Sequence, residues 1–256
     1  MTDPRHPVSA PVPGTSAVPD PGARHAIVIA DGDVPERAAL DAAWPGWADG
    51  VIDVIAADGG FARARALGLE PDLLVGDLDS LEPSMAVAAE RAGVPILRSR
   101  TDKDESDTEL AVLAAVARGA ARITVLGAFG GPRLDHALAN AWLLAHPGLV
   151  GVEVVLLDGG ARVSLVTAPG QAGDPVTRPI PGPVGSLVSL LPLGGDAEGI
   201  TTDGLRYPLA GESLATGPAR GISNVRDRPD ASVTLARGRL LVVETALARG
   251  GLSSGT

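Results

Sequence analysis

The 256-residue chain contains no cysteine. That absence excludes thiol nucleophiles, iron–sulfur clusters, disulfides and thiolate zinc sites together. Any chemistry is left to oxygen and nitrogen groups, and a reducing cytoplasm suits such a chain. Aromatic residues are nearly as scarce, with three Trp, two Phe and one Tyr. Trp44, Trp47 and Trp142 read as packing residues rather than ring platforms, which leaves Tyr207 as the only aromatic side chain beyond residue 167. Positive charge is in deficit, the formal net charge being -10. No basic stripe is available to release counterions, so a nucleic-acid partner is not expected. No apolar run approaches a membrane span and the N-terminus lacks the apolar region of a signal peptide, so a cytoplasmic protein with no membrane partner is expected. The P-loop and Gly-x-Gly-x-x-Gly fingerprints are also missing, which lowers the prior for P-loop and dinucleotide-fold chemistry.

What is present divides the chain. Residues 1–24 are rich in Pro, Ala, Ser and Gly without periodicity and read as a disordered tail; 248–256 read as a second, flexible tail. From 25 to 167 short apolar runs, at Ala26 to Ala30, Val51 to Ala56, Leu73 to Val75, Pro95 to Leu97, Ile123 to Leu126 and Val152 to Leu157, alternate with Ala/Leu-rich helical stretches. Such alternation predicts an α/β domain with a mostly parallel sheet. Residues 168–185, rich in Pro and Gly, read as a linker or irregular crossing. Beyond them, 186–247 carry short apolar runs at Ser186 to Leu191, Gly199 to Thr202, Leu205 to Tyr207, Ser232 to Leu235 and Arg239 to Val243. Turn residues separate these runs and no helical period is present, which predicts a C-terminal all-β sandwich.

The candidate chemistry lies in the breaks after the strands. Asp31-Gly32-Asp33, Asp58-Gly59-Gly60, Asp77 with Asp79, the stretch Asp102 to Glu109, and Gly127 to Asp135 each come after an apolar run. In a parallel sheet these breaks share the carboxyl edge, where ligands of open α/β sheets bind. Asp77 and Asp79, at i and i+2 of an extended segment, project to one side and repel, and a hard divalent cation relieves that repulsion. Gly59 and Gly60 let the backbone pass close to a ligand while Asp58 reaches toward it. Ser106 or Asp107 would cap the next helix, but a cap does not explain Lys103 among aspartates, which suits a phosphate held beside a metal. Gly131 precedes Arg133, which could clamp a phosphate, and Asp135, which could hold that arginine or a metal-bound water. Carboxylates, glycines and a few basic groups fit metal-assisted phosphoryl chemistry.

In order and content these motifs resemble the thiamine pyrophosphokinase family. The matching segments are Ala57 to Gly60, Pro71 to Ser80, Asp102 to Glu109, Gly130 to His136 with Asn140, Gly204 to Leu209, and Gly221 to Asn224. The resemblance covers about residues 26 to 245. It implies a catalytic α/β domain, a thiamine-binding β-sandwich, and a homodimer with active sites between subunits. It also implies transfer of diphosphate from ATP to the hydroxyl of thiamine, releasing AMP. On it, Asp77, Asp79 and Asp107 are expected to hold Mg2+, and Asp58, Asp79 and Asp104 are the candidate catalytic carboxylates. Gly59, Gly60, Lys103, Gly131, Arg133 and Asp135 are expected around the nucleotide, and Ser223 and Asn224 at the thiamine. Two other readings stand beside it: a diphosphokinase for another small alcohol such as a pterin, and a non-catalytic nucleotide-binding regulatory module of the same fold.

Overall fold

A computed structural model describes residues 23–76, 83–98, 104–168 and 173–247. Asp77, Asp79 and Lys103 lie outside the described residues, as do 1–22 of the expected N-terminal tail and 248–256.

In the first half, β1 (His25–Ile29), β2 (Val51–Ala57), β3 (Leu73–Gly76), β4 (Ile96–Arg98), β5 (Arg122–Leu126) and β6 (Glu153–Leu157) pair in parallel in the order β6-β5-β1-β2-β3-β4. Between them run α1 (Arg37–Ala43), α2 (Gly60–Ala66), α3 (Pro83–Arg91), α4 (Asp107–Ala117) and α5 (Leu134–Leu143). The near-continuous apolar runs of β1 and β5 follow from burial on both faces. Ala26 and Val28 of β1 join Ala111, Val112 and Ala115 of α4 in one core, while Ile27 and Ile29 join Leu40 of α1 and Ala64 of α2 in another. The helical stretches expected from the sequence, Ala62 to Leu67, Met85 to Arg91, Thr108 to Arg118 and Leu134 to Ala145, do not include helix α1, which is short and buries only Leu40. Trp44 and Trp47, just beyond it, pack on the second core, with indole N–H groups donated to the Asp158 carbonyl and the Asp41 carboxylate.

The second half contains β7 (Ala161–Ala168), β8 (Val176–Pro179), β9 (Leu187–Pro192), β10 (Ala197–Asp203), β11 (Ala210–Leu214), β12 (Asn224–Val225), β13 (Ser232–Leu235) and β14 (Gly238–Thr245). One layer of the sandwich, β12-β9-β14-β7, continues the parallel sheet through an antiparallel β7–β6 pair, so a single ten-stranded sheet crosses both halves. The other layer is the antiparallel sheet β11-β10-β13-β8. Side-chain alternation on β14 shows why its run Leu240 to Val243 is apolar throughout: Leu240 and Val242 face the second sheet, while Leu241 and Val243 join the core of the α/β half.

Two local readings are corrected. Strand β8 lies inside the stretch 168–185, because Val176 to Pro179 pair with β13 despite the surrounding Pro and Gly. Leu205 to Tyr207 form no strand: Gly204, at φ +72°, and Pro208 interrupt the run, which keeps only the isolated bridge from Leu205 to Arg226.

Candidate active site

The strand order reverses between β1 and β5, the position at which open α/β sheets take ligands. The exits of these strands are joined by backbone hydrogen bonds: Gly32 donates to the Gly127 carbonyl and Asp33 to that of Phe129, each at 2.9 Å. One carboxylate oxygen of Asp33 then accepts the Gly131 N–H at 3.1 Å. A Cβ added at Gly130 would lie 2.3 Å from that same oxygen, and Gly130 has φ +76°, so both space and conformation require glycine there. Asn140 supports the loop from within the fold, its buried side-chain amide donating to the Ala128 carbonyl at 2.8 Å.

At the exit of β2, Asp58 adopts φ +46°, a left-handed conformation that aspartate tolerates better than most residues. Its N–H donates to the Val75 carbonyl on β3 at 2.9 Å, tying the second exit to the third. Helix α2 starts hard against the end of β1, where a Cβ on Gly60 would meet the Ile29 carbonyl oxygen at 2.0 Å. From that helix Arg63 reaches the Asp31 carboxylate at 2.5 Å.

Helix α4 opens as its sequence predicts. Ser106 Oγ accepts the Glu109 N–H at 3.1 Å, with Asp107 and Glu109 in the first turn. Asp104 is exposed and Asp107 half-buried. At the start of α5, Arg133 and Asp135 form a two-pronged pair, at 2.9 and 2.6 Å, exposed on both sides. Hydrogen bonding from Arg133 holds the Asp135 carboxyl down to about 2. Exposed ion pairs of this kind contribute little to stability, so Arg133 can exchange its carboxylate for a phosphate at small cost.

The carboxyl edge thus carries Asp31, Asp33, Asp58, Asp104 and Asp107, all oxygen donors of the type Mg2+ takes. Among the described residues no three such groups converge on one point. The donor set fits magnesium in kind, and the two aspartates expected to lead it, Asp77 and Asp79, come directly after β3 in the sequence, outside the described residues.

Of the C-terminal candidates, Asn224 opens the outer strand β12 of the same sheet and Ser223 directly precedes it. Ser223 is exposed at φ +58°, with its N–H donated to Ser189 Oγ at 3.0 Å. Asn224 is buried, and its side-chain oxygen accepts the N–H groups of Tyr207 at 3.0 Å and Val225 at 2.9 Å. Its amide nitrogen donates to the Tyr207 carbonyl at 2.7 Å. A substrate contact is expected of Asn224 from the sequence; in the fold both oxygen lone pairs and one of two amide hydrogens serve the backbone. Its local effect is to fix the loop carrying Tyr207, which is 65% exposed and therefore open to a ligand.

The sequence places Asp33 among the breaks after the strands and Tyr207 in a segment that matches the family, but assigns a specific role to neither, and none to Arg63. Nothing local pointed to Arg63, whose partner lies 32 residues away.

Comparison with known proteins gives a consistent result. Residues 49–156 match the family model described as thiamin pyrophosphokinase, catalytic domain, and residues 179–240 match thiamin pyrophosphokinase, vitamin B1 binding domain. Together the two span well over half of the chain. Thiamine pyrophosphokinase 1 of rice (Oryza sativa subsp. japonica) is 28% identical over 233 residues, covering 84% of this chain and 85% of the relative. Thiamine pyrophosphokinase of Bacillus subtilis is 25% identical over 194 residues, covering 75% and 86%. The crystal structure of the thiamine pyrophosphokinase from Bacillus subtilis superimposes with a TM-score of 0.74 at 22% identity, covering 87% of this chain and 99% of that one. The yeast thiamin pyrophosphokinase structure gives 0.70 at 14%, covering 90% and 88%. Neither the pterin reading nor the non-catalytic reading draws support from these relatives.

Proposed function

The chain belongs to the thiamine pyrophosphokinase family, and from that premise we infer that it is an ATP-dependent diphosphotransferase making thiamine diphosphate and AMP from thiamine and ATP. The observation that carries this is the succession, on one chain, of the catalytic and vitamin B1 binding matches. In the reaction the thiamine hydroxyl oxygen forms a bond to the β-phosphorus, the bond from that phosphorus to the α,β-bridging oxygen breaks, and AMP leaves with the electron pair. The hydroxyl proton passes to a carboxylate, for which Asp58, Asp79 and Asp104 are the candidates. Positioning and electrostatics dominate such transfers. Arg133 moves from Asp135 to the polyphosphate; Gly59, Gly60 and Gly131 give the backbone close approach, and Lys103 adds a further cation. Asp77, Asp79 and Asp107 would hold Mg2+, which when bound neutralises polyphosphate charge.

We further propose a homodimer in the cytoplasm, where ATP is supplied. The strand order supports the dimer. Asn224 and Val225 pair with Val188 and Leu187, at the same edge as the carboxyl ends of the parallel strands, yet β12 is six strand spacings from β1. At about 4.8 Å per strand that is roughly 30 Å along the sheet. A thiamine held at Ser223 is brought to the phosphates of a nucleotide more readily by a partner copy than within one chain. An exposed apolar stripe on α5, formed by Leu134, Leu138 and Trp142, begins beside Arg133 and supplies a surface for that partner.

The test is product analysis by 31P NMR with magnesium ATP and thiamine. AMP and thiamine diphosphate in equal amounts are expected, and ADP with thiamine monophosphate would refute diphosphoryl transfer. Turnover with a pterin alcohol alone would move the substrate assignment.

A further inference from the structure

Arg226 is among the largest fully buried side chains of the protein, 2% exposed and two residues beyond Asn224. Every arm of its guanidinium is used. Nε donates to the Ile180 carbonyl at 2.9 Å, Nη1 to Ser186 Oγ at 2.5 Å, and Nη2 to the buried carboxylate of Glu244 on β14. Its backbone N–H donates to the Ser186 carbonyl and its carbonyl accepts the Gly185 N–H. The chain wraps closely over it, since a Cβ on Gly182 would stand 2.7 Å from the guanidinium carbon. Glu244 is shared with Arg162, which binds it through two nitrogens at 2.7 and 2.9 Å.

This arrangement contributes little to stability as such, because a buried ion pair gains about as much from Coulomb attraction as it loses in desolvation. What it fixes is place. Along β12 and its continuation, Asn224 and Arg226 point inward at i and i+2 while Ser223 faces out. Arg226 joins this edge strand to β14, to the start of β9 and to the segment before it. Two residues earlier, Asn224 passes the constraint to the backbone of Tyr207, and Ser223 is held in its left-handed conformation beside Ser189.

We propose that Arg226, anchored by Glu244, is a positioning residue that sets the relative placement of Ser223 and Tyr207 and thereby the recognition of the organic substrate, without touching it. The proposal rests on the reading of this segment as the thiamine side of the site.

Steady-state kinetics and hydrogen exchange on Arg226→Met and Arg226→Lys test it together. In Arg226→Met, Glu244 keeps Arg162, so no buried charge is orphaned. The expected result is a rise of about tenfold in KM for thiamine with a change of less than about twofold in KM for ATP. Arg226→Lys, which keeps a cation at Glu244 but loses the fork, should fall between wild type and Arg226→Met, and it carries the test if the Met variant does not fold. Amides of 204–209 and 221–226 should exchange faster, with β10 and β13 at wild-type protection. Equal changes in both KM values, protection lost uniformly across the sandwich, or wild-type KM and exchange in both variants would overturn the proposal. If the wild-type protein fails to turn over thiamine, the functional reading fails, while the pattern of exchange still decides whether Arg226 positions the segment.

Discussion

The two halves of the molecule hold their candidate site residues in opposite ways. At the carboxyl edge of the parallel strands, Arg133 and Asp135, and Arg63 and Asp31, are paired at the surface, where partners exchange readily. On the outer strand of the sandwich, Asn224 and Arg226 are buried and their polar atoms are committed to neighbouring segments. The difference suits the ligands proposed for each half. A polyphosphate brings charge that must displace existing ion pairs, whereas a small organic cation needs a shape set in advance, because rigid framing lowers the ordering cost of binding.

Substitutions can sharpen or break this contrast. The largest effect is expected from Asp77→Asn, with turnover reduced on the order of a hundredfold or more and little change in Tm, since removing one of two like charges two residues apart in sequence need not destabilise the unliganded protein. Near-normal turnover at saturating magnesium would remove Asp77 from the metal site. Arg133→Ala should raise KM for ATP by about tenfold while leaving KM for thiamine near wild type; an effect on thiamine alone would reverse the assignment of the two halves. Asn224→Ala should do the converse, raising KM for thiamine. Because it strips partners from buried backbone groups, it should also cost about 2 kcal/mol of stability in urea unfolding, a loss that Arg133→Ala, at the surface, should not show.

The smallest effect concerns neither half of the site. His25 is buried at the opposite end of β1, between Thr124 and the Asp49 carbonyl and beside Arg122, and burial pushes its pKa below 6.5. The unfolded chain therefore binds a proton that the folded chain refuses. The stabilising contribution is fully present above pH 6.5 and is lost as pH falls through the window beneath it. Tm measured from pH 7.5 to 5.5 should decline more steeply for wild type than for His25→Gln; parallel curves would show that His25 contributes nothing to the slope.

The same contrast explains what was legible in the sequence. In the α/β half each strand is one apolar run and each site loop comes after its own strand, so Asp58, Asp107 and the turn before Arg133 could be placed by position alone. Their local partners were less accessible: Asp33 meets Gly131 only because β1 and β5 are neighbours, a pairing that spans 98 residues. In the sandwich, β7, β8, β11 and β12 escaped notice because they are short or mix polar with apolar residues. The continuity of one sheet across both halves was invisible for a related reason, since the antiparallel β6–β7 pair that creates it leaves no mark on periodicity. The role of Asn224 was hidden too, because its hydrogen bonds reach back 17 residues to a loop.

If nucleotide and thiamine are held by different copies, then defects in the two halves should complement each other. Asp77→Asn and Asn224→Ala proteins, each assayed alone and after co-refolding at low thiamine concentration, test this directly. A mixed dimer carries one site built from the intact edge of one copy and the intact sandwich of the other, so random mixing should restore activity to about a quarter of wild type. Activity no greater than the mean of the two separate variants would show that each site is built from a single chain.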